Sequence, residues 1–179
     1  MKDVYYFYAH QNVITFVKMQ FSVTYNKKKV IQGLRYHFIT RREIRILLIL
    51  INVFAITSAV LFYTKKIRPE PFLLSSVIWV FFMISFWFLL PHLIYRRSET
   101  FKDKFTIFIL DRQVRLQNMR GYVEWNWNRF THYFESPNFF HLYFSPKSFF
   151  LLPKDDIPPE KLNDLRTIFN THITRSSVK

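Results

Sequence analysis

Two apolar stretches decide the fold of this chain: ILLILINVFAITSAVLFY at residues 46–63 and FLLSSVIWVFFMISFWFLLPHLIY at residues 72–95. Neither stretch contains a charged residue. As a helix the first stretch extends about 27 Å, which matches the hydrocarbon core of a bilayer, and the second spans it with some tilt. A chain of 179 residues has no core that could cover both helices on all sides. The sequence therefore predicts a transmembrane helical hairpin over residues 46–95.

The connection between the two stretches predicts how they are arranged. Only eight residues, TKKIRPEP, separate them, and Pro69 and Pro71 favour a break followed by a new helix start. The loop holds three cations, whereas eight lie within fifteen residues of the other ends: Arg35, Arg41, Arg42, Arg45, Arg96, Arg97, Lys102 and Lys104. This excess predicts that both termini lie in the cytoplasm.

The positive charge of the chain is concentrated beside the apolar stretches. The net charge is +14, and the first hundred residues carry 14 Lys and Arg against 4 Asp and Glu. Anionic lipid of the inner leaflet attracts such residues, so we expect a lipid surface as a partner, and no nucleic acid. The candidates for lipid headgroup contact are the five arginines that flank the hairpin, called the basic collar below: Arg41, Arg42, Arg45, Arg96 and Arg97.

Polar residues inside the first stretch favour a structural role over a transport path. Thr57 and Ser58 can bond to their own helix, and Asn52 can find a partner across the hairpin. A proton relay requires several ionisable groups within the membrane. The hairpin is therefore predicted to be an anchor.

Few classes of chemistry are compatible with the composition. The chain has no cysteine and only two glycines, which excludes disulfides, thiolate chemistry and glycine-rich nucleotide loops. The histidines lack metal-ligand spacing, although His132 and His141 could approach on neighbouring strands. Asp155 and Asp156 fit a turn before a helix better than a catalytic pair. We predict no enzyme activity, no cofactor and no metal.

Residues 101–173 have the pattern of a small antiparallel sheet closed by a helix. Six short runs rich in aromatic and branched residues are separated by turn signals: FTIFIL, VRLQ, YVEWNW, THYFE, FHLYF and FFLLP. Pro158 and Pro159 then precede EKLNDLRTIFNTHI, which has apolar residues at helical spacing. The predicted fold class is an α+β membrane protein, a transmembrane hairpin combined with an antiparallel meander of five or six strands.

The segment before the hairpin predicts a strand and a helix over residues 19–45. FSVTY at Phe21–Tyr25 is strand-like, and a basic amphipathic helix follows Asn26. This helix either lies on the inner leaflet or packs on the carboxy-terminal sheet. Residues 1–18 make a poor signal peptide, so we treat them as an extension and hypothesise that translation begins at Met19.

Two tryptophans are the candidates for a partner surface. Trp125 and Trp127 lie two residues apart, so on a strand they share one face. Either this face is the inner side of the sheet, which we favour, or it is an aromatic surface for a partner or the membrane interface.

The order of elements resembles the YcxB-like family of bacterial membrane proteins. The resemblance is strongest in FTIFILD and in YVEWNWNRFTHYFESPNFFHLYFSPKSFFLLPKDDI, followed by a Pro-initiated helix. It implies a pleckstrin-homology-like sheet and helix, a characteristic tryptophan at Trp125 or Trp127, and the motif formed by Leu152, Pro153 and Lys154. It implies no activity.

These observations lead to one main functional hypothesis and two alternatives. The main hypothesis is a non-enzymatic bacterial inner-membrane protein whose cytoplasmic domain binds a protein partner, with homo-oligomerisation left open. The first alternative is an immunity or stress protein that neutralises a membrane-active toxin. The second is an accessory subunit of a membrane transport or enzyme complex.

Overall fold

The structure is a computed structural model that describes residues 17–146 and 148–176. It divides into two compact units. One unit is Val30–Ser98 and is called the hairpin unit; the other contains the described residues on both sides of it and is called the sheet unit. The predicted mixed α+β class, with two long apolar helices and antiparallel sheets, is confirmed.

The hairpin unit is helical throughout most of its length. Helix α1 covers Lys27–Thr40, and only its residues from Val30 onward belong to this unit. The following elements are α2 (Arg42–Tyr63), α3 (Pro69–Ile84), a π-helical turn (Ser85–Leu89) and α4 (Leu90–Arg97). Pro69 occupies the first turn of α3, as the loop sequence predicts.

Helices α2 and α3 are antiparallel. The indole Nε1 of Trp79 donates a 3.2 Å hydrogen bond to the Oδ1 of Asn52, and the hydroxyls of Ser58 and Ser75 lie 2.7 Å apart. The residue number increases from Asn52 to Ser58 along α2, whereas that of the partner decreases from Trp79 to Ser75 along α3. Thr57 donates to the carbonyl of Val53 in its own helix, so the structural roles predicted for these polar residues are confirmed.

The structure buries the apolar face of α1. Val30 and Leu34 are fully buried, and Ile31 and Phe38 nearly so. The two alternatives for this helix, in which it lies on the inner leaflet or packs on the carboxy-terminal sheet, stay predictions.

The sheet unit contains two four-stranded sheets instead of the single meander predicted. The first has the order β1-β2-β3-β4 and the second β7-β6-β5-β8. The strands are β1 (Val17–Val23), β2 (Phe105–Leu110), β3 (Gln113–Asn118), β4 (Gly121–Asn126), β5 (His132–Glu135), β6 (Phe139–Ser145), β7 (Ser148–Pro153) and β8 (Thr174–Arg175). Helix α5 (Pro159–His172) precedes β8.

The difference arises from pairings between segments that are distant in sequence. Strand β1 pairs with β2 across the inserted hairpin unit, and β8 runs parallel to β5 after α5. Two residues are too few for an alternating pattern to be visible, so β8 has no signal in the sequence.

Both sheets and α5 contribute to one core. Tyr133, Phe140, Leu165 and Phe169 are fully buried at its centre. Alternate residues of β2 point into this core, as expected for a strand with one face on it.

The first strand begins earlier than predicted. Val17 pairs with Leu110, and Lys18 forms a 2.8 Å ion pair with Asp111. The boundary proposed between residues 18 and 19 therefore falls inside β1, because these two residues already take part in the sheet. The rest of the proposed extension, residues 1–16, lies outside the described residues.

Candidate functional site

The side chain of Trp127 belongs to the core. It is 5% exposed, and its Nε1 donates to the carbonyls of Leu110 at 3.2 Å and Asp111 at 3.0 Å. Its ring stacks on that of His172 with centroids 4.8 Å apart. Trp127 begins a short 3-10 helix (Trp127–Arg129) instead of continuing β4, so it does not share a strand face with Trp125.

Trp125 is half-buried at the end of β4. Its ring packs against Phe130, Phe144 and Phe150 at centroid distances of 6.2, 5.0 and 5.5 Å. The two tryptophans thus pack inward, and the alternative in which they form an open partner surface is wrong for Trp127. Burial of large aromatic rings provides core stability at this position.

The exposed apolar residues of the sheet unit lie elsewhere, on the β3–β4 hairpin. Met119 is fully exposed at its turn, and Tyr122 and Val123 are 62% and 53% exposed on β4. Gly121 closes the two-residue turn opposite Asn118 with φ of +144°, a conformation that favours glycine. The sequence carried no clear signal for this surface, since YVEWN alternates as an ordinary strand does, with Glu124 and Asn126 on one face and Val123 and Trp125 on the other.

Strand β4 lies at one end of its sheet and pairs only with β3 among the described strands. In a hairpin with a two-residue turn, the two residues that flank the turn exchange backbone hydrogen bonds with each other. Hydrogen-bonded pairs and non-hydrogen-bonded pairs then alternate along the two strands. The bond from the Trp127 amide to the Arg112 carbonyl continues that alternation. The backbone groups of Tyr122, Glu124 and Asn126 therefore point away from β3, toward the open edge.

The charged side chains near this edge are paired within the unit. Arg115 on β3 contacts the carboxylate of Glu124 at 2.5 Å and lies 5.1 Å above the ring of Tyr122. Arg120 at the turn approaches Glu99 and Asp103 at 3.4 and 3.7 Å. The edge is consequently apolar with locally balanced charge.

A second feature of the sheet unit is a carboxylate surrounded by cations. The side chain of Glu135 at the end of β5 is 11% exposed and accepts from Lys154 at 2.6 Å and Arg166 at 2.8 Å, with Arg175 at 3.6 Å. Burial raises the pKa of Glu135, but hydrogen bonds from Arg166 and Lys154 outweigh it and lower the pKa overall. Glu135 is therefore ionised at neutral pH.

This cluster connects four elements of the sheet unit. Glu135 belongs to β5, Lys154 follows β7, Arg166 is on α5 and Arg175 is on β8. Lys154 is also the lysine of the motif that carries the family resemblance, and its Nζ lies 5.1 Å above the ring of Phe140. A fully paired carboxylate is a poor proton acceptor, so the arrangement fits a cross-link better than a catalytic group.

The two histidines and two aspartates considered above do not form a site. His132 pairs with Tyr143 in the sheet, whereas His141 pairs with Phe134. Asp155 forms an ion pair with Lys29, and the carboxylate of Asp156 accepts from the amide of Thr24 at 2.9 Å. Within residues 17–146 and 148–176, no group of three or more metal-ligating side chains is present.

The basic collar lies at one end of the helical hairpin, because α2 and α4 run in opposite directions. Arg42, Arg96 and Arg97 are exposed, whereas Arg41 and Arg45 are partly covered. The Nη2 of Arg45 donates to the carbonyl of Thr40 at 3.4 Å. The three exposed arginines are positioned at the helix ends, where they can reach a charged surface.

Arg35, which sequence reasoning used only as a positive charge, makes a specific contact inside the hairpin unit. Its Nε donates a 2.9 Å hydrogen bond to the backbone carbonyl of Trp87 in the π-helical turn. Its guanidinium carbon lies 5.6 Å from the ring centroids of both Trp87 and Phe88.

Two helices of the hairpin unit are long and apolar enough to cross a membrane by length and composition. They are Arg42–Tyr63 and the continuous segment Pro69–Arg97, and only 6% of the most apolar part of each is buried. Such helices have no protein cover on most of their surface.

Comparison with known proteins confirms the family resemblance for the sheet unit. A family model described as YcxB-like protein matches residues 109–169, about a third of the chain. The match runs from the end of β2 into α5 and includes Glu135, Lys154 and Arg166. No curated protein and no solved structure matches this chain.

Proposed function

We propose that this chain is a non-enzymatic bacterial inner-membrane protein, anchored by its helical hairpin, whose cytoplasmic sheet unit binds a protein partner at β4. The observation that carries the proposal is the exposed apolar edge formed by Met119, Tyr122 and Val123. Exposed apolar surface of this kind on a sheet edge is typical of a contact site.

The anchoring part of the proposal is supported by the two uncovered apolar helices. The excess of cations at the collar end favours that end as the cytoplasmic one, with both termini inside. Arg42, Arg96 and Arg97 are exposed there, and we propose that they contact anionic headgroups together with Arg41 and Arg45.

The cytoplasmic part of the proposal is a pleckstrin-homology-like interaction domain. Its support is the element order of the sheet unit, in which the four antiparallel strands β1–β4 are followed by β5–β7, the helix α5 and the short strand β8. The domain would accept an extended segment of the partner along β4, because the backbone groups of Tyr122, Glu124 and Asn126 point outward. The exposed side chains of Tyr122 and Val123 would then contact the partner's side chains.

The test is photo-crosslinking of the full chain in its native membrane. A photoreactive residue at Val123 should give a discrete adduct, whereas the same residue at Asp164, exposed on α5, should not. Val123→Asp should also abolish the stable complex recovered by affinity purification in mild detergent. Equal adducts at both positions, or recovery of the protein alone, would contradict the proposal.

The same purification distinguishes the alternatives. A stoichiometric transport or enzyme complex would identify the protein as an accessory subunit. Unchanged toxin sensitivity in cells that express the protein would remove the immunity hypothesis.

A further inference from the structure

Pro91 interrupts the hydrogen-bond ladder of the second apolar helix. Proline has no N–H, so it cannot donate to the carbonyl of Trp87, the acceptor four residues before it. The preceding residue, Leu90, bonds to the carbonyl of Ser85, which is the spacing of a π-helix. Arg35 of α1 donates its Nε to the Trp87 carbonyl and so supplies the hydrogen bond that Pro91 cannot give.

This contact uses only one edge of the guanidinium. The Nη1 and Nη2 atoms of Arg35 have no protein partner within residues 17–146 and 148–176. They leave up to four N–H groups available in the planar arrangement that suits two oxygens of one phosphate. The rings beside them, Trp87 and Phe88, are 42% and 59% exposed. The Nη1 and Nη2 groups of Arg35, called the fork below, therefore lie next to an uncovered aromatic surface.

The helix register puts this arrangement at the level where α2 becomes apolar. Between the pairs Asn52 with Trp79 and Ser58 with Ser75, six positions along α2 correspond to four along α3, so these contacts fix the register of the antiparallel helices to within about two residues. Continuing for six residues from Asn52 reaches Ile46, the first residue of the charge-free stretch, and the matching position on the other helix lies where α3 meets the π-helical turn. Tryptophan is enriched at the corresponding depth of membrane proteins, the headgroup interface.

We infer that Arg35 binds the phosphodiester of an anionic phospholipid, with Trp87 and Phe88 packing against the upper part of its acyl chains. This inference rests on the proposed membrane insertion. The Nε holds the guanidinium in place through the Trp87 carbonyl, and the two Nη atoms donate to the phosphate oxygens. Because the guanidinium is already held in place, less entropy is lost on binding than for a mobile surface arginine.

The test is native mass spectrometry of the full chain, purified in mild detergent and titrated with phosphatidylglycerol. Arg35→Gln keeps an amide that can donate to the Trp87 carbonyl but removes the fork, so binding should weaken about 10-fold, the loss expected for charge-assisted hydrogen bonds. Arg35→Lys keeps the charge without the fork and should lose less. The control Arg129→Gln removes an exposed arginine of the sheet unit, outside the basic collar, and should change binding less than about twofold.

The outcomes separate this inference from the proposed function. Unchanged phosphatidylglycerol binding by Arg35→Gln, in a protein that resists alkaline extraction from membranes, would overturn the lipid site alone. Extraction of the wild-type protein by alkali would overturn membrane insertion itself. Equal losses in Arg35→Gln and Arg129→Gln would also contradict the site, because they would indicate general charge attraction.

Discussion

The hydroxyls of Ser58 on α2 and Ser75 on α3 lie 2.7 Å apart, and both serines are buried. They are the buried residues of these two long helices, whose other surfaces are largely uncovered. Small side chains at this position allow the two backbones to approach closely. Because both serines are buried, water does not compete for the hydrogen bond between their hydroxyls.

Ser75→Ala should weaken the association of α2 with α3. Polar contacts between membrane helices contribute about 0.6 to 1.7 kcal/mol, so we expect a loss in that range. The measurement is the midpoint of unfolding in mixed micelles with increasing SDS. Ser76→Ala is the matched control, since the hydroxyl of Ser76 bonds only to the Phe72 carbonyl of its own helix. A loss of equal size in the control would contradict the assigned interhelical role.

Trp127→Phe should destabilise the sheet unit more than Trp125→Phe. The first substitution removes the N–H that donates to the carbonyls of Leu110 and Asp111, and a buried group left without a partner costs about 1 to 3 kcal/mol. The second keeps an aromatic ring among its neighbours. Thermal unfolding of the two variants measures the difference. Equal shifts in Tm would show that the indole hydrogen bonds contribute little.

Glu135→Gln should destabilise the sheet unit at neutral pH by on the order of 3 kcal/mol, because it leaves the mostly buried Lys154 without its counter-charge. Glu160→Gln, an exposed position on α5, is the control and should be near neutral. Denaturant unfolding at pH 7 measures both.

The effect of Glu135 should also depend on pH. Its pKa is lower in the folded chain than in the unfolded one, so its contribution is complete above the ordinary glutamate pKa of about 4.3. The contribution is lost as the pH falls through the folded pKa. The stability difference between wild type and Glu135→Gln should therefore shrink progressively below about pH 4.3. A constant difference down to pH 2 would contradict the assigned ionisation.

Reporter fusions should place the two ends of the hairpin on opposite sides of the membrane. A fusion at Lys66, in the loop, should report the periplasm, and a fusion at Lys179 should report the cytoplasm. The measurement is the activity of a phosphatase reporter and the fluorescence of a fluorescent reporter, each fused at both positions. Both fusions on the same side would exclude a spanning hairpin.

Much of the architecture followed from local patterns. The uninterrupted apolar runs predicted α2 and α3, and the short alternating runs predicted the strands from Phe105 to Pro153. The proline before α5 marked its start. These features are local because the burial of each residue leaves a periodic pattern within its own element.

Tertiary structure decided how the strands are divided between the two sheets and which side chains meet around Glu135. The end of β4 turns Trp127 into the core, and the chain passes through α5 before β8 returns to β5. Glu135 meets Lys154, Arg166 and Arg175 from three other elements, a convergence that no local spacing encodes.

The contact between Arg35 and Trp87 shows the division most clearly. The sequence alone determined that Arg35 precedes an apolar helix and that Pro91 interrupts a second one. Only the tertiary structure brings the guanidinium to the carbonyl that Pro91 leaves without a donor, across 52 residues of chain. The physical reason is that an unsatisfied backbone carbonyl can be inferred from local sequence, whereas the group that satisfies it is selected by three-dimensional proximity.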